Sequence, residues 1–420
     1  MKQAAPVIAT AAALLALILV LHAPVFTQGA LITPAGMHYA QWPWKAHAAE
    51  AIEGGALLQE NHTLSDLLFQ VYPWQRFITR SLQSGEVPLW NPYSYTGVPF
   101  VANAQSAVFY PLHWPAFILP TMRVFTMAIM LKILLAGLFM TVFLRGIGCS
   151  TIPCVVGAVS FALCGFMTSW LGYAHTNAAI FLPLLMHGAR RIAIAPGSGP
   201  FLIMAFAMAA QYLGGHPETS LHIAGAASLC FLWHLPASRR PRLAIALFVA
   251  ASVAGLLMAA VQLLPFAQYL GQSAALEQRQ ALAGVDPSLP FGSLLTLLLP
   301  AHFGRPWDYS YHGPAAWQAV AAYTGAGILL LAVLSLAWWR EVRLYLCLAF
   351  GSMTIVYGPD WVRAAIRRIP IAGISSNNRL ILIICFCLAL LAAIALQKIL
   401  ARSAEAVPRS KGPLLLVLGA

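Results

Sequence analysis

From Leu380 to Leu396 the chain reads LILIICFCLALLAAIAL, without one charge, amide or hydroxyl. Such a run leaves little choice of structure. About 20 apolar residues in a helix cross the hydrocarbon of a bilayer, and lipid offers the backbone no hydrogen-bond partners, so the run must satisfy itself. Comparable runs lie near 5–26, 124–144, 151–172, 177–194, 200–213, 219–235, 243–268, 316–339, 343–358 and 380–399, with 200–213 and 343–358 the shortest. Composition agrees: 60% of residues are hydrophobic and 9% charged, against about 25% charged in soluble proteins. The expectation is an all-α polytopic membrane protein with about ten transmembrane helices. The first covers 5–26, a bundle covers 124–399, and PLLLVLGA at 413–420 reads as the start of a further helix. The N-terminal run is longer than a signal-peptide core and its LHAP sequence is a poor cleavage site, so it reads as an uncleaved helix.

Lys and Arg number 24 against 12 Asp and Glu. The excess does not point to nucleic acid, because the basic residues form short clusters between apolar runs. Whether 107–120, AVFYPLHWPAFILP, crosses the membrane decides the map. If it does not, Arg145, Arg190, Arg191, the RRPR of 239–242, the WREVR of 339–343 and the basic tail of 398–411 share one side with the N-terminus. The positive-inside rule makes that side cytoplasmic. The opposite turns, GYAHTN and GGHPE, then carry no Lys or Arg. If it crosses, the pattern inverts. The first map is adopted: 107–120 is re-entrant or interfacial, 27–123 is a large extracytoplasmic loop with interfacial helices, and 214–218, 271–315 and 359–379 lie outside too. Every polar constellation then falls on the outer face.

No internal repeat, glycine-rich phosphate loop, GxSxG elbow or HExxH pair occurs. Of seven cysteines, all but Cys149 lie within apolar runs, so neither a disulfide framework nor a zinc site is indicated.

Within the outer loop, Leu64, Leu67, Leu68, Val71, Phe77, Ile78 and Leu82 recur at helical spacing, with Gln70, Gln75, Arg76, Arg80 and Gln83 on other faces. That pattern is an amphipathic helix lying on the interface and bent at Pro73. Ser65 or Thr63 suits its N-cap, and Asp66 suits its first turn. The stretch GEVPLWNPYSYTGVPF that follows, 85–100, cannot continue as a regular helix, because its prolines remove donors and fix φ. Irregular backbone persists at membrane depth only where protein or a water-filled cavity covers it. Trp90, Asn91, Tyr93, Tyr95, Asn103 and Gln105 supply aromatic faces and amides that suit sugar rings or lipid headgroups. The plain alternative is an interfacial aromatic belt.

The block SDLLFQVYPWQRFITRSLQSGEVPLWNPYSYTGVPFVANAQSAVFYPLHWPAFILP resembles the signature of YfhO-type bacterial membrane proteins, a branch of the GT-C glycosyltransferase superfamily. GGHPETSLHI, LMAAVQLLPFAQYLGQSA, LLTLLLPAHFG and NNRLILIICFCLALLAAIAL follow in order, so the resemblance covers about residues 60–400. It implies a GT-C-like fold in a bacterial cytoplasmic (inner) membrane. It also implies transfer of a sugar from a polyprenyl-phosphate carrier to a cell-envelope glycan or lipid acceptor outside. GT-C enzymes keep a catalytic acid in the first outer loop. The matching position is Asp66, which would take the proton of the attacking acceptor hydroxyl. Many GT-C proteins place the acid nearer the first helix or in an acidic pair, which makes Glu50 and Glu53 rivals. Family members are usually longer than this chain.

A carrier phosphate needs cations. DWVRAAIRRIPIAGISSNNR offers Arg363, Arg367, Arg368 and Arg379, and guanidinium forks suit phosphate oxygens. Headgroup anchoring would use the same residues. His216 and Glu218 of GGHPE sit near the expected cavity mouth, with a tight turn between helices as the alternative. His175, His302 and His312 are also outside, without metal-ligand spacing. No cofactor is expected, and a divalent cation stays open. Two other functions compete. A lipid or glycan transporter or flippase would show repeats and ionisable residues inside its spans, where Lys132 is the one charge. The other is a non-catalytic membrane scaffold.

Overall fold

The computed structural model describes residues 4–53, 61–281 and 289–406, so the expected helix start at 413–420 lies outside the described residues. The chain opens with α1 (Ala5–Leu21). Short turns and 3-10 segments follow up to residue 120, interrupted by α2 (Tyr72–Gln83) and a two-stranded antiparallel ribbon that pairs Trp90 with Pro99 and Asn91 with Val98. The bundle is α3 (Thr121–Gly146), α4 (Thr151–Ala162), α5 (Leu182–Ile194), α6 (Ser198–Leu213), α7 (Pro217–His234), α8 (Pro241–Met258), α9 (Ala260–Gly271), α10 (Ala326–Leu334), α11 (Trp339–Tyr357) and α12 (Ile381–Ala406). The chain is an all-α membrane protein.

Burial sorts these helices. Every residue of α12 from Ile381 to Ala393 is buried, as befits a helix that is hydrophobic all round. It packs against α4, α10 and α11. In α8, equally apolar, only Ala244, Ala251 and Gly255 are buried. That stripe faces α6, and the remaining surface is suited to lipid.

Among the described residues, Thr121–Gly146, Pro241–Met258 and Asn377–Ser403 are long and apolar enough to cross a membrane as single helices. Ala5–Leu21, Thr151–Ala162 and Ser198–Leu213 are shorter apolar helices. Several expected continuous runs are broken instead. The 151–172 run ends its first helix at Ala162, and the 316–339 run holds only a short turn at Trp317–Val320 before α10. These two breaks meet. Gly165 N–H donates to the Tyr323 carbonyl (2.7 Å), and a Cβ on Gly165 would come within 2.8 Å of the Ala321 carbonyl oxygen. Each irregular segment supplies partners that lipid cannot. The 243–268 run likewise splits at Ala259 into α8 and α9.

The 107–120 segment forms no spanning helix. Its regular part is the 3-10 turn Pro111–Phe117, and Val108, Tyr110, His113 and Ala116 are buried in protein.

Candidate functional site

The segment carrying Asp66 is a helical rod of mixed type: a 3-10 turn at His62–Leu64, a π-turn at Leu67–Val71, then α2 with Pro73 in its first turn. Such π-turns concentrate at functional sites. The expected caps are not used. Asn61 starts the rod instead, its Oδ1 accepting from Thr63 N–H (3.0 Å). Asp66 stands at the N-cap of the π-turn yet makes no capping bond and is exposed. The face assignment also needs a correction. Gln75, expected on a polar face, is buried and donates to the Ser106 carbonyl (3.3 Å).

Asp66 is held beside a polar cluster where the turns at one end of the bundle converge. The carbonyl of Thr63 accepts from Gln318 Nε2 (2.8 Å) and from the Tyr173 hydroxyl (3.2 Å). Burial pushes the Tyr173 phenol up, and the nearby Asp66 carboxylate adds to the rise. Tyr173 meets Trp170 edge-on, ring centroids 5.3 Å apart. From Trp170 a column of rings runs inward: His175 stacks on it at 3.9 Å, and His216 lies 3.7 Å from His175. The Arg379 guanidinium sits over the Trp170 ring at 4.3 Å, a cation–π contact.

The turns that carry these rings are fixed from below. Lys132 of α3 is 2% exposed. Its ammonium donates to the Leu171 carbonyl, to Thr176 Oγ1 (3.0 Å) and to Asn177 Oδ1 (3.1 Å). Asn177 Nδ2 in turn donates to the Gly214 carbonyl (3.1 Å), tying the two turns together. The glycine pair permits this approach. A Cβ on Gly214 would lie 2.9 Å from the Asn177 backbone carbon, and Gly215 has a φ of +89°, a value that suits glycine. His216 then caps α7, its Nδ1 accepting from Thr219 N–H (3.2 Å). GGHPE is therefore both the tight turn and a wall of the cluster.

His175 is 6% exposed, and neither ring nitrogen has a hydrogen-bond partner among the described residues. Burial first, then His216, Arg379 and Lys132, hold its pKa well below the ordinary 6.5. It is a neutral imidazole with donor and acceptor capacity unspent, and buried polar groups of that kind are rare without a reason.

The remaining candidates divide. Asn103, Gln105, His216 and Glu218 line a cleft of about 430 Å³ with Tyr212, Phe266 and Tyr269. His216 joins this cleft to the ring column. Trp90 and Tyr93 line a separate groove of about 830 Å³ on α2, with Arg76, Arg80 and Glu86. Trp90 is 54% exposed and Tyr93 82%. Asn91 borders that groove too, and its amide also has a local role. It is buried, its Nδ2 donating to Ser94 Oγ (3.0 Å) and its Oδ1 accepting from Tyr93 N–H (3.0 Å), so it builds the turn. Asp66 lines neither concavity.

The four arginines also separate. Arg363 pairs with Asp360 one turn back, whereas Arg367 and Arg368 are exposed. Arg379 alone of the four lies on the column. Glu50 sits in the helical turn Ala48–Glu53, 79% exposed and 3.2 Å from His47, and Glu53 is exposed at its end. Sequence reasoning passed over Trp170 and Gln318 and noted His175 only as an outer histidine without metal-ligand spacing; their roles come from stacking and hydrogen bonds between turns. Among the described residues, no three His, Cys, Asp or Glu side chains gather as a metal centre requires.

No curated protein and no solved structure matches this chain. The family model described as "Bacterial membrane protein YfhO" matches residues 59–417. The match takes in the Asp66 rod, the ring column and both concavities, and the chain belongs to the YfhO family of bacterial membrane proteins.

Proposed function

We propose that this chain is a GT-C-type glycosyltransferase that moves a sugar from a polyprenyl-phosphate carrier to a cell-envelope glycan or lipid acceptor. The reaction would take place on the extracytoplasmic face of a bacterial inner membrane. The observation that carries the reading is Asp66: an exposed carboxylate with no capping bond, beside a built polar cluster that includes a buried neutral histidine and an arginine. A carboxylate held only to start a helix would spend its oxygens on backbone N–H groups.

In this reading Asp66 takes the proton of the acceptor hydroxyl as that oxygen attacks the anomeric carbon. The bond from that carbon to the carrier phosphate breaks. The phosphate leaves with the electron pair, already ionised, so no strong acid is needed. Arg379 is the cation best placed for its charge, and guanidinium donors suit phosphate oxygens. The apolar walls of the 430 Å³ cleft, Phe266 and Tyr269 among them, fit the prenyl chain below the phosphate. The exposed Trp90 and Tyr93 faces on the α2 groove fit an acceptor glycan. No step requires a metal, and a divalent ion at the phosphate is compatible with the scheme. A transporter would carry repeats and ionisable residues inside its spans, and Lys132 is committed to holding the 171–177 turn.

The test is sugar transfer from a synthetic prenyl-phosphate donor by Asp66→Asn, Glu50→Gln and Glu53→Gln at equal protein level. Asn caps helices as well as Asp, so fold and expression should survive. Loss of a general base costs about 10²–10⁴-fold in rate. Collapse in Asp66→Asn alone supports the assignment. Collapse in a Glu variant moves the role to residue 50 or 53, and normal turnover in all three removes the general-base scheme from this loop.

A further inference from the structure

The end of the bundle opposite the ring column holds a second site. There the exit turn of α3 and the C-terminal parts of α5, α7 and α12 meet the first turns of α11 around a cavity of about 410 Å³. Its polar lining includes Arg190, Lys398, His234, Gln397 and Glu341; Trp233, Tyr345, Val342 and Ile394 form apolar walls. Arg343 adds a further cation, its guanidinium 5.1 Å from the centre of the Trp233 ring.

Two features bear on what it binds. Two carbonyls at the end of α3 and in its exit turn, of the kind that would repel an anion, already have cationic partners. Arg190 Nη1 donates to the Gly146 carbonyl (2.9 Å), and Arg145 Nη1 donates to the Cys149 carbonyl (2.9 Å). The one carboxylate, Glu341, is paired with Lys398, and this bridge links α11 to α12 beside the cavity. Counting Arg190, Lys398 and Glu341, the lining carries net charge +1, rising to +2 once Arg343 is included. Mixed basic and apolar walls between membrane helices are the arrangement that takes an acidic lipid headgroup.

We infer that this cavity binds the phosphodiester headgroup of an anionic phospholipid, with Arg190 and Lys398 as its cationic contacts and Glu341 as the competing anion that Lys398 releases on binding. The walls of Val342 and Ile394 receive the glycerol end. The inference does not rest on the glycosyltransferase reading, because it uses neither the ring column nor either concavity near it.

Native mass spectrometry of the purified full chain in detergent would test it, titrating phosphatidylglycerol, phosphatidylethanolamine and, separately, inorganic phosphate. Phosphatidylglycerol should be retained about tenfold better than phosphatidylethanolamine, and Lys398→Gln should remove most of that preference. Glu341→Gln should strengthen it several-fold, since the lysine is then free. A misfolded variant would not produce that gain. Arg190→Gln should also lower retention, but it loses a bond to Gly146, so the Lys398 and Glu341 pair decides the matter. Equal retention of phosphatidylglycerol by wild type and both of these variants would overturn the site. Binding of inorganic phosphate with no preference between the two lipids would overturn the lipid assignment.

Discussion

At one end of the bundle a single lysine is buried, its ammonium spent on a carbonyl and two side-chain oxygens; at the other, arginines lie near the surface and answer the ends of helices. Both ends are cationic, in opposite senses. Lys132 is a fastener whose position is set to within a hydrogen bond, and it holds the turn that presents Trp170 and His175. Arg145 and Arg190 neutralise the partial negative charge of α3 and its exit turn, and their neighbours leave a cavity open. Positive charge in a membrane protein therefore carries two messages. Its count along the sequence speaks to orientation, and its burial speaks to the site.

The sharpest way to break the comparison is to ask which end faces out. Cysteines placed at Tyr95, 99% exposed, and at Ala237, also exposed, in a background without the seven native cysteines, should differ completely with an impermeant thiol reagent on whole cells. Residue 95 should label and residue 237 should not. The reverse pattern would put the ring column in the cytoplasm and end the proposed chemistry with it.

Next in size is the contrast among the arginines at the ring-column end. Arg379→Lys should raise donor KM about ten- to a hundredfold, the worth of a charge-assisted hydrogen bond at roughly 1.5–3 kcal/mol. Arg367→Lys and Arg368→Lys should leave KM unchanged. A uniform response would make all three headgroup anchors.

Stability should divide the two ends in the same way. Lys132→Met strips the donor from Leu171 and Asn177 and should cost about 1–3 kcal/mol. Gly214→Ala forces a Cβ onto the Asn177 backbone and should cost a similar amount, about 1–3 kcal/mol. Arg145→Gln at the other end should cost less than about 1 kcal/mol. Thermal unfolding in detergent measures all three, and equal costs would erase the distinction between fastener and neutraliser.

The smallest effect is a pH slope. His175 in the folded chain has a pKa well below 6.5, so below about pH 6.5 the unfolded chain binds a proton that the folded one refuses. Stability then falls on acidification, by at most about 1.4 kcal/mol per pH unit from this group. His113, lowered to about 3 by burial and then by Lys132, adds the same sign. His175→Phe keeps the stack on Trp170 and should flatten the acid limb. An unchanged limb would mean that His175 takes up its proton as freely folded as unfolded.

Much of this was legible in the residues, for reasons that also mark the limit. The class of fold follows from runs such as 380–396, because lipid leaves a helix as the one answer. Asp66 was marked by the family resemblance, and His216 and Arg379, the latter as one of four arginines, were candidates by residue type and by the side the charge pattern assigned them. Broken helices were less visible: 151–172 reads as one apolar run, and only contact with the extended chain at 321–325 explains its interruption. The lining of the site was least visible. Gln318 meets Trp170 and Thr63 across more than a hundred residues, and His175 meets His216 from a different turn, so no local period records them. Asn91 shows a second limit, since residue type does not reveal that its amide also holds the turn two and three residues away.

The π-turn at Leu67–Val71 has a consequence for how this rod is oriented. One extra residue in a helical turn rotates everything beyond it by about 100°. The angle at which Asp66 emerges is thus uncoupled from the side on which α2 rests. The face that α2 buries is made by Tyr72, Gln75, Ile78 and Thr79. Removing a single residue from 67–71 would restore one continuous phase and swing Asp66 about a quarter-turn away from Tyr173, with every side chain of the cluster still present.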